Sequence, residues 1–223
     1  MKQVLYKLPA PNGFISDPSL VFYLPFYRLD GATITSKDAY GHLCSVTGAS
    51  WRPGGRYFDG VDDEIDCGNG SSIQIGVAIT IELWGKFVGY TGSFRQVVWK
   101  RFSDGNGEQG WQFYLNSNSN TVHILRWLDG VAIGVDSTFT PGEFSHIVFT
   151  YDGATQKLYI DGNLVAVSIA DTSTVKTATD LLIGANPGAG YVSGTIGEIR
   201  MYNRALAPLE IQHNYLATKW RYR

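Results

Sequence analysis

The sequence predicts an all-β protein made of two antiparallel sheets packed as a sandwich, with one short helix near the C-terminus. Hydrophobic residues make up 44% of the 223 residues, which is enough for a large core, and only 17% are charged. Roughly twelve short apolar runs follow one another at intervals of about 12–15 residues, separated by Gly, Asn and Ser. Few stretches show a helical period, so the pattern disfavours a parallel α/β sheet.

The centre of the chain predicts a meander of three strands. Residues 144–151 (FSHIVFTY) are apolar on both pleat faces, as expected for a strand buried inside a stack. Asp152-Gly153 ends this run, and Asp161-Gly162 separates the next two runs at 157–160 and 164–167. Asp-Gly between alternating hydrophobic residues is a strong hairpin signal, because both turn residues need positive φ angles. The rest of the chain must therefore supply strands that cover this meander.

The N-terminal part of the chain predicts an arm followed by the first strand. Residues 1–20 are rich in Pro, Gly, Asn and Ser, which is typical of an extended arm or linker. A strand follows at 21–30, and Pro25 places it at a sheet edge or a bulge. Beyond it we find no internal repeat and no domain break. Residues 21–223 are therefore predicted to form a single β-sandwich domain.

Two further segments can be placed from their patterns. Residues 78–87 (AITIELWGKF) alternate strictly between apolar and polar side chains, which predicts a strand. A short helix is predicted at Ala207–Tyr215, because Pro208 is tolerated in a first helical turn and the segment has one apolar side. The basic residues 219–223 are expected to form a solvated tail or a final edge strand.

The charge of the chain limits the classes of partner it can bind, and its N-terminal residues and two cysteines can also be interpreted. The chain has 18 basic and 20 acidic residues, hence a net charge of −2, and no basic field that would attract nucleic acid or anionic lipid. The N-terminal residues lack the apolar region of a signal peptide, and we expect no membrane insertion. Cys44 and Cys67 either form a disulfide, if their strands are neighbours, or remain two buried thiols.

Several segments, taken in order, carry a family resemblance. They are RYFDG (56–60) with Asp63–Asp66, TIELW (80–84), FSHIV (144–148), LYIDG (158–162) and IRMYNRAL (199–206). Together they resemble the laminin-G-like jelly rolls of the concanavalin A-like lectin/glucanase superfamily, over about residues 21–216. The resemblance implies a jelly-roll sandwich that binds its ligand on a concave sheet face or in the loops at one rim. The superfamily includes glycoside hydrolases and non-catalytic sugar binders, so the fold does not decide function.

The resemblance also bears on metal binding. Some members of the superfamily hold a structural calcium ion between an early loop carboxylate and an acidic residue in the last strand. Asp38 stands where the early ligand usually falls, but Gly197 occupies the last-strand position that is often Asp, and Glu198 should face the opposite way. Asp30 or Asp59 could supply oxygens instead. A structural Ca²⁺ with Asp38 as a ligand is the one cofactor that the resemblance suggests.

The carboxylates argue against glycoside cleavage. Retaining hydrolysis requires two carboxyl groups about 5 Å apart. Glu64-Ile65-Asp66 is similar to the first half of the catalytic strand in the superfamily's laminarinase-type hydrolases, but Asn69 stands where the second Glu should be. We therefore expect no catalytic residue and a protein that is not an enzyme. A glycan hydrolase or lyase is the third choice.

Two polar residues on apolar strands have structural interpretations. His146 is expected to be a core histidine that donates to a backbone carbonyl, because buried polar groups are nearly always hydrogen-bonded. Glu82 projects from the polar face of the 78–87 strand. A strand carboxylate in this position is more often paired with a lysine than catalytic, and Lys86 or Lys100 would be that partner.

Alternation on two later strands predicts a sugar-binding face. Sugars stack on aromatic rings, while amides and charged groups bind their hydroxyls, usually in a concave site with few polar groups. The polar faces of residues 110–116 and 121–128 carry such side chains. The predicted groove consists of Glu82, Gln112, Tyr114, His123 and Trp127, with the loop aromatics Tyr191 and Tyr90 at its rim. Any single tryptophan, Trp99 and Trp127 included, could instead pack under a loop.

These observations favour a non-catalytic carbohydrate-binding module that attaches a larger particle or enzyme to a glycan. The expected partner is a polysaccharide or glycan, and the family resemblance implies an extracellular location or a particle surface. The alternative is a structural or adhesion protein of a virion or cell surface, which would contact other subunits of its assembly. An adhesion role predicts an exposed apolar patch of more than a few hundred Å².

Overall fold

A computed structural model of the protein describes residues 13–88, 94–103, 107–116, 120–170, 172, 174 and 178–223. The strands, numbered along the chain, are β1 (Leu20–Leu24), β2 (Thr33–Thr35), β3 (Leu43–Thr47), β4 (Ser50–Arg52), β5 (Gly55–Asp59), β6 (Glu64–Asp66), β7 (Ile79–Phe87), β8 (Arg95–Ser103), β9 (Glu108–Asn116), β10 (Thr121–Leu128), β11 (Val131–Thr138), β12 (Phe144–Tyr151), β13 (Gln156–Ile160), β14 (Asn163–Val167), β15 (Leu182–Ile183) and β16 (Ser193–Tyr202). The helix α1 spans Pro208–Thr218.

The strands form two eight-stranded antiparallel sheets, which confirms the predicted all-β sandwich. The back sheet has the order β14-β13-β12-β7-β16-β5-β4, with β1 also paired to β16. The front sheet has the order β11-β10-β9-β8-β15-β6-β3-β2. The predicted meander is present as β12, β13 and β14, joined by turns at Asp152-Gly153 and Asp161-Gly162. The first strand is shorter than predicted, because Pro25 ends it and Phe26–Arg28 form a 3-10 turn.

The core lies between the two sheets. Ile81 and Leu83 of β7 face Trp111 and Phe113 of β9, and all four are buried in one apolar cluster with Phe149 of β12. The Trp111 and Phe149 rings meet edge to face at 5.6 Å between centroids. Aromatic residues thus bind the sheets together, and the alternation of β9 places its other side chains on the outer face of the front sheet.

The outer face of the back sheet is also covered, by α1 and the N-terminal segment 13–19. The backbone N–H of Ile15 donates to Asn214 at 2.7 Å, and the Tyr202 hydroxyl donates to the Ile15 carbonyl at 2.8 Å. Residues 13–19, which we expected to belong to an extended arm, therefore pack on the domain. Residues 1–12 of that predicted arm lie outside the described residues.

The C-terminal segment returns to the back sheet. Helix α1 begins at Pro208, as predicted, and ends at Thr218 rather than Tyr215. Residues 219–223 are not the predicted tail or edge strand, because Tyr222 is buried against Trp84. None of the described helices is long and apolar enough to cross a membrane.

A disulfide joins Cys44 and Cys67 in the part of the front sheet that contains β3 and β6. Cys44 lies on β3 and Cys67 directly follows β6, and these two strands are hydrogen-bonded neighbours. The structure therefore selects the first of the two alternatives that the sequence left open.

Candidate functional site

An open groove of about 870 Å³ lies on the outer face of the front sheet. Its floor is formed by β8, β9, β10 and β11, and one wall is formed by the loop at residues 186–190. Four aromatic and six polar residues are part of its lining: Phe94, Trp99, Tyr114 and Trp127, and Arg95, Gln96, Arg101, Glu108, Gln112 and Asn186. A volume of this size is typical of ligand sites in proteins.

The strand register explains why these side chains meet. Gln112 on β9 pairs with Trp99 on β8 and with Leu125 on β10, so the three side chains share the outer face. Tyr114 pairs with Gln96 and His123 in the same way. Neighbouring residues on adjacent strands lie about 4.5–5.5 Å apart, close enough for rings and amides to contact each other.

Gln112 connects the polar groups of the groove. Its Oε1 accepts hydrogen bonds from Arg101 Nη1 and Trp127 Nε1, both at 2.9 Å. Its Nε2 donates to Gln96 Oε1 at 3.1 Å. One amide on β9 therefore fixes the positions of side chains from the two neighbouring strands, β8 and β10, and such a network presents polar groups in a defined arrangement.

The guanidinium of Arg101 contacts two indole rings. Its Cζ lies 4.5 Å from the centroid of the Trp99 ring and 4.4 Å from that of Trp127. Its Nη2 lies 2.8 Å from Glu108 Oε1. Gly110 stands between Arg101 and Trp127 in the register, so no β9 side chain separates the cation from the Trp127 ring. Cation–π contact and the ion pair together hold Arg101 in place.

Aromatic rings form the end of the groove near Tyr114. The rings of Tyr114 and His123 stack at 5.0 Å with an interplanar angle of 7°, and Phe94 meets Tyr114 edge to face at 4.9 Å. Burial raises the pKa of Tyr114, with Asp136 adding to the effect, and burial lowers the pKa of His123. Both side chains are therefore neutral near pH 7. Phe94 is 55% exposed and offers its ring to solvent.

The loop at residues 186–190 is fixed against β8 by backbone hydrogen bonds. Asn186 and Ala189 exchange two bonds, of 3.0 and 3.2 Å, and the N–H of Gln96 donates to the Gly190 carbonyl at 2.7 Å. Asn186 Oδ1 and Trp99 Nε1 are buried polar atoms with no hydrogen-bond partner among the described residues. Both residues line the groove, so these unsatisfied polar atoms lie beside it.

The structure brings together part of the predicted sugar-binding set. Gln112, Tyr114 and Trp127 line the groove, and His123 packs on Tyr114. Tyr191 lies beside the groove and forms a backbone bridge to Gln96, but its side chain is not part of the lining. Tyr90, the second predicted rim aromatic, lies outside the described residues.

The prediction that Glu82 belongs to this groove is wrong. Glu82 lies on β7 of the back sheet, is fully buried and faces α1 rather than solvent. Its carboxylate accepts from Arg200 Nη1 at 2.6 Å, His146 Nε2 at 2.8 Å and Asn214 Nδ2 at 2.8 Å. Burial alone would raise the pKa of Glu82, but Arg200 and the bond from His146 hold this pKa below its usual value.

The partners of these buried groups also differ from those we predicted. Glu82 pairs with neither lysine, and His146 Nε2 bonds to Glu82 instead of a backbone carbonyl, although His146 is fully buried as expected. Lys100 is buried on the inner side of β8, where its Nζ donates to the Thr179 carbonyl at 2.6 Å and to Asn69 Oδ1 at 3.2 Å.

Asp38 stabilises a turn. Its Oδ2 accepts the backbone N–H of Tyr23 at 3.0 Å, and its Oδ1 accepts those of Tyr40 at 2.8 Å and Gly41 at 3.2 Å. Glu198, on the strand where the second calcium ligand was sought, forms ion pairs with Arg200 and Arg221. Calcium binding at Asp38 therefore stays a prediction.

One acidic group among the described residues has ligand atoms close enough to share a metal ion. Asp59, Asp62 and Asp63 place these atoms within 4.8 Å of one another. Hydrogen bonds inside the loop already engage two of the three, because Asp63 Oδ2 accepts the N–H of Asp59 and Asp59 Oδ1 accepts that of Val61. These bonds explain the cluster as a structured turn.

A family model matches most of the chain. Residues 58–212 match the model described as the concanavalin A-like lectin/glucanases superfamily. The chain belongs to this superfamily. The resemblance seen in the sequence is thereby confirmed. No curated protein sequence is significantly similar to the chain.

Solved structures share the fold of this superfamily member at low sequence identity. The receptor-binding domain of botulinum neurotoxin D is 14% identical, with a TM-score of 0.71 over 88% of this chain and 52% of that one. The botulinum neurotoxin serotype G binding domain is 12% identical, with a TM-score of 0.69 over 88% and 50%. Trypanosoma rangeli sialidase is 19% identical, with a TM-score of 0.69 over 91% and 33%. The chain thus spans about half of each toxin structure and a third of the sialidase.

Proposed function

We propose that this protein is a non-catalytic carbohydrate-binding domain that attaches a larger particle or enzyme to a glycan. The observation that carries the proposal is the composition of the front-sheet groove, where the exposed ring of Phe94 and the half-buried rings of Tyr114 and Trp127 stand beside side chains already fixed by hydrogen bonds. Such a module would act outside the cell or on a particle surface, where glycans are displayed. Membership of a lectin-containing superfamily supports this proposal, and so does structural similarity to a sialidase that has been solved with sialic acid.

The aromatic side chains suit the apolar faces of sugar rings. Phe94 and Tyr114 form an edge-to-face pair, and the exposed Phe94 ring is available for contact with sugar C–H groups. Asn186 Oδ1 and Trp99 Nε1 are a buried acceptor and a buried donor beside the groove, and a side-chain shift on binding would bring them to hydroxyl groups. A few oriented polar groups among aromatic rings give weak, reversible binding with a defined orientation.

The test is a glycan-array and polysaccharide binding screen with the full chain, in calcium and in chelator. Phe94→Ala is expected to weaken binding about fivefold, since an aromatic contact contributes about 1 kcal/mol. Tyr40→Ala is the matched control, because Tyr40 is also 55% exposed and lies outside the groove. Equal affinity of the Phe94 variant and the wild type would remove the groove from the proposal. Absence of binding to any glycan would overturn the function itself.

Catalysis is tested in the same experiment by chromatography of the products. Glu108 is the one carboxylate among the described residues that line the groove, whereas glycoside hydrolysis requires two positioned carboxyl groups. We therefore expect bound glycans to be recovered intact. Release of shorter oligosaccharides would show that the protein is a hydrolase or lyase.

A structural or adhesion role is the second candidate, and one feature favours it. The edge strand β14 and the residues after it expose Leu164, Val165, Val167 and Ile169. Residues 163–170 carry no charge, so the same edge of a second copy could pair with it without like charges meeting. Light scattering tests this role. We expect a dimer that Val165→Lys converts to a monomer, and a wild-type monomer would exclude self-pairing.

A further inference from the structure

The groove carries a charge of opposite sign to the chain as a whole. The described residues that line it include two cations, Arg95 and Arg101, and one carboxylate, Glu108, whereas the chain has a net charge of −2. A cleft whose lining has a net charge of one sign attracts ligands of the other sign. Resting on the carbohydrate-binding function proposed above, we propose that the ligand is an acidic glycan whose carboxylate or sulfate binds Arg101 in place of Glu108.

Arg101 is positioned before any ligand arrives. Its guanidinium contacts the rings of Trp99 and Trp127, while Gln112 and Glu108 bind its two terminal nitrogens. The planar guanidinium matches the two oxygens of a carboxylate or sulfate, which a lysine ammonium does not. Because the side chain is already ordered, binding an anion requires little further loss of conformational entropy.

Exposure distinguishes the two members of the Arg101–Glu108 pair. The Arg101 side chain is 16% exposed and that of Glu108 is 39% exposed. Burial lowers the pKa of Arg101, although Glu108 opposes this effect, and burial also lowers the pKa of Arg95. A partly desolvated cation gains from a bound anion, while the more exposed carboxylate of Glu108 can return to water at small cost.

The rest of the groove is suited to the uncharged part of such a ligand. Phe94 offers a ring to the sugar face, and the unsatisfied polar atoms of Asn186 and Trp99 lie within a side-chain shift of the hydroxyl groups. A neutral glycan would use these contacts but would leave the Arg101–Glu108 pair intact. The two ligand classes therefore differ in their response to the loss of Glu108.

The first experiment is an array of paired glycans that differ only in an acidic group: sialylated against asialo, uronic acid against its methyl ester, and sulfated against desulfated. We expect the acidic member of at least one pair to bind about tenfold or more tightly, with affinity falling as salt rises. The pairs distinguish carboxylate from sulfate. Equal or tighter binding of the neutral members would overturn this inference while leaving the carbohydrate-binding function in place. Absence of all binding would overturn both.

The second experiment uses the best acidic glycan and charge variants. Glu108→Gln should tighten its binding about threefold to tenfold, because the competing carboxylate is removed. Glu143→Gln makes the same change of net charge at an exposed residue outside the groove and should have little effect. Unchanged or weaker binding by the Glu108 variant would exclude Arg101 as the anchor.

Removal of the cation completes the test. Arg101→Gln should abolish the preference for the acidic member of the pair, and Arg101→Lys should restore only part of it, since the planar fork is lost. Arg52→Gln is the matched control, because Arg52 is an exposed arginine that stacks on Tyr57 at 3.5 Å on the back sheet. If the Arg101→Gln variant unfolds, the Glu108→Gln result decides the inference alone.

Discussion

The ring of Tyr222 lies directly over Gly197. A side chain at position 197 would overlap the Cε1 and Cζ atoms of this ring. Tyr222 also stacks on Trp84 at 4.7 Å and contacts Phe144 at 4.9 Å. The C-terminal residues thus occupy the space above this position of β16, and Gly197 is the residue that permits this packing.

The Tyr222–Gly197 contact predicts a coupled effect on stability. Gly197→Ala should lower the free energy of unfolding by about 1–3 kcal/mol, because the added methyl group displaces the ring. Tyr222→Ala should also be destabilising, through the lost aromatic packing. The double variant should lose less free energy of unfolding than the sum of the two single losses, by about 1 kcal/mol or more. Urea denaturation measures all four proteins, and additive losses would contradict the contact.

The buried ion network predicts that Glu82 stabilises the fold without contributing to binding. Glu82→Gln leaves Arg200 and His146 without their shared carboxylate and should cost about 3–5 kcal/mol, since breaking a buried ion pair is strongly destabilising. Glycan affinity, measured where the variant is still folded, should match that of the wild type because Glu82 lies on the opposite sheet. A folded variant with impaired binding would contradict this assignment.

Lys100 predicts a specific dependence of stability on pH. Burial lowers its pKa from 10.5 to about 8, although Asp180 partly opposes the shift. Between these values the folded state binds fewer protons than the unfolded state, so this residue makes the free energy of unfolding rise with pH from about 8 to 10.5. The gain is at most about 3 kcal/mol. Denaturation of the wild type and of Lys100→Met across this range should show the rise in the wild type alone. Parallel curves would place the Lys100 pKa near its ordinary value.

The Cys44–Cys67 disulfide predicts a redox-dependent stability. It closes a loop with a sequence separation of 23, and cross-linking a loop of this length contributes about 3 kcal/mol by restricting the unfolded chain. The melting temperature should therefore fall on reduction. The Cys44→Ala/Cys67→Ala double variant should melt near the reduced protein and should not respond to reductant. A wild type whose melting temperature ignores reductant would contradict the prediction.

Local sequence patterns were sufficient to predict the regular parts of the fold. The meander at 144–167 could be predicted because Asp-Gly turns interrupt apolar runs, and the start of α1 could be predicted from Pro208. The outer faces of β9 and β10 were also predictable, because alternation places Gln112 and Tyr114 opposite Trp111. These signals depend only on neighbours along the chain, so they can be interpreted without knowledge of the tertiary structure.

The groove residues that the sequence patterns misplaced or did not identify are determined by tertiary contacts. Alternation gave the correct face of Glu82 on its strand but not the sheet that holds the strand, nor the helix that covers it. In β8 the register shifts between Gln96 and Val98, and this bulge changes which side chains share a face with Arg101. Phe94 precedes β8 in a loop, where no period identifies a binding residue.

The packing of the C-terminal segment on the back sheet determines how the domain can be presented. Residues 13–19 and the segment after α1 lie against that sheet, while the groove opens on the front sheet across the core. A biotin tag, a bead or a fusion partner joined after Arg223 would therefore sit behind the back sheet and leave the groove facing the opposite way. Immobilisation through the C-terminus is thus compatible with ligand access, and labels on β8 to β11 should be avoided.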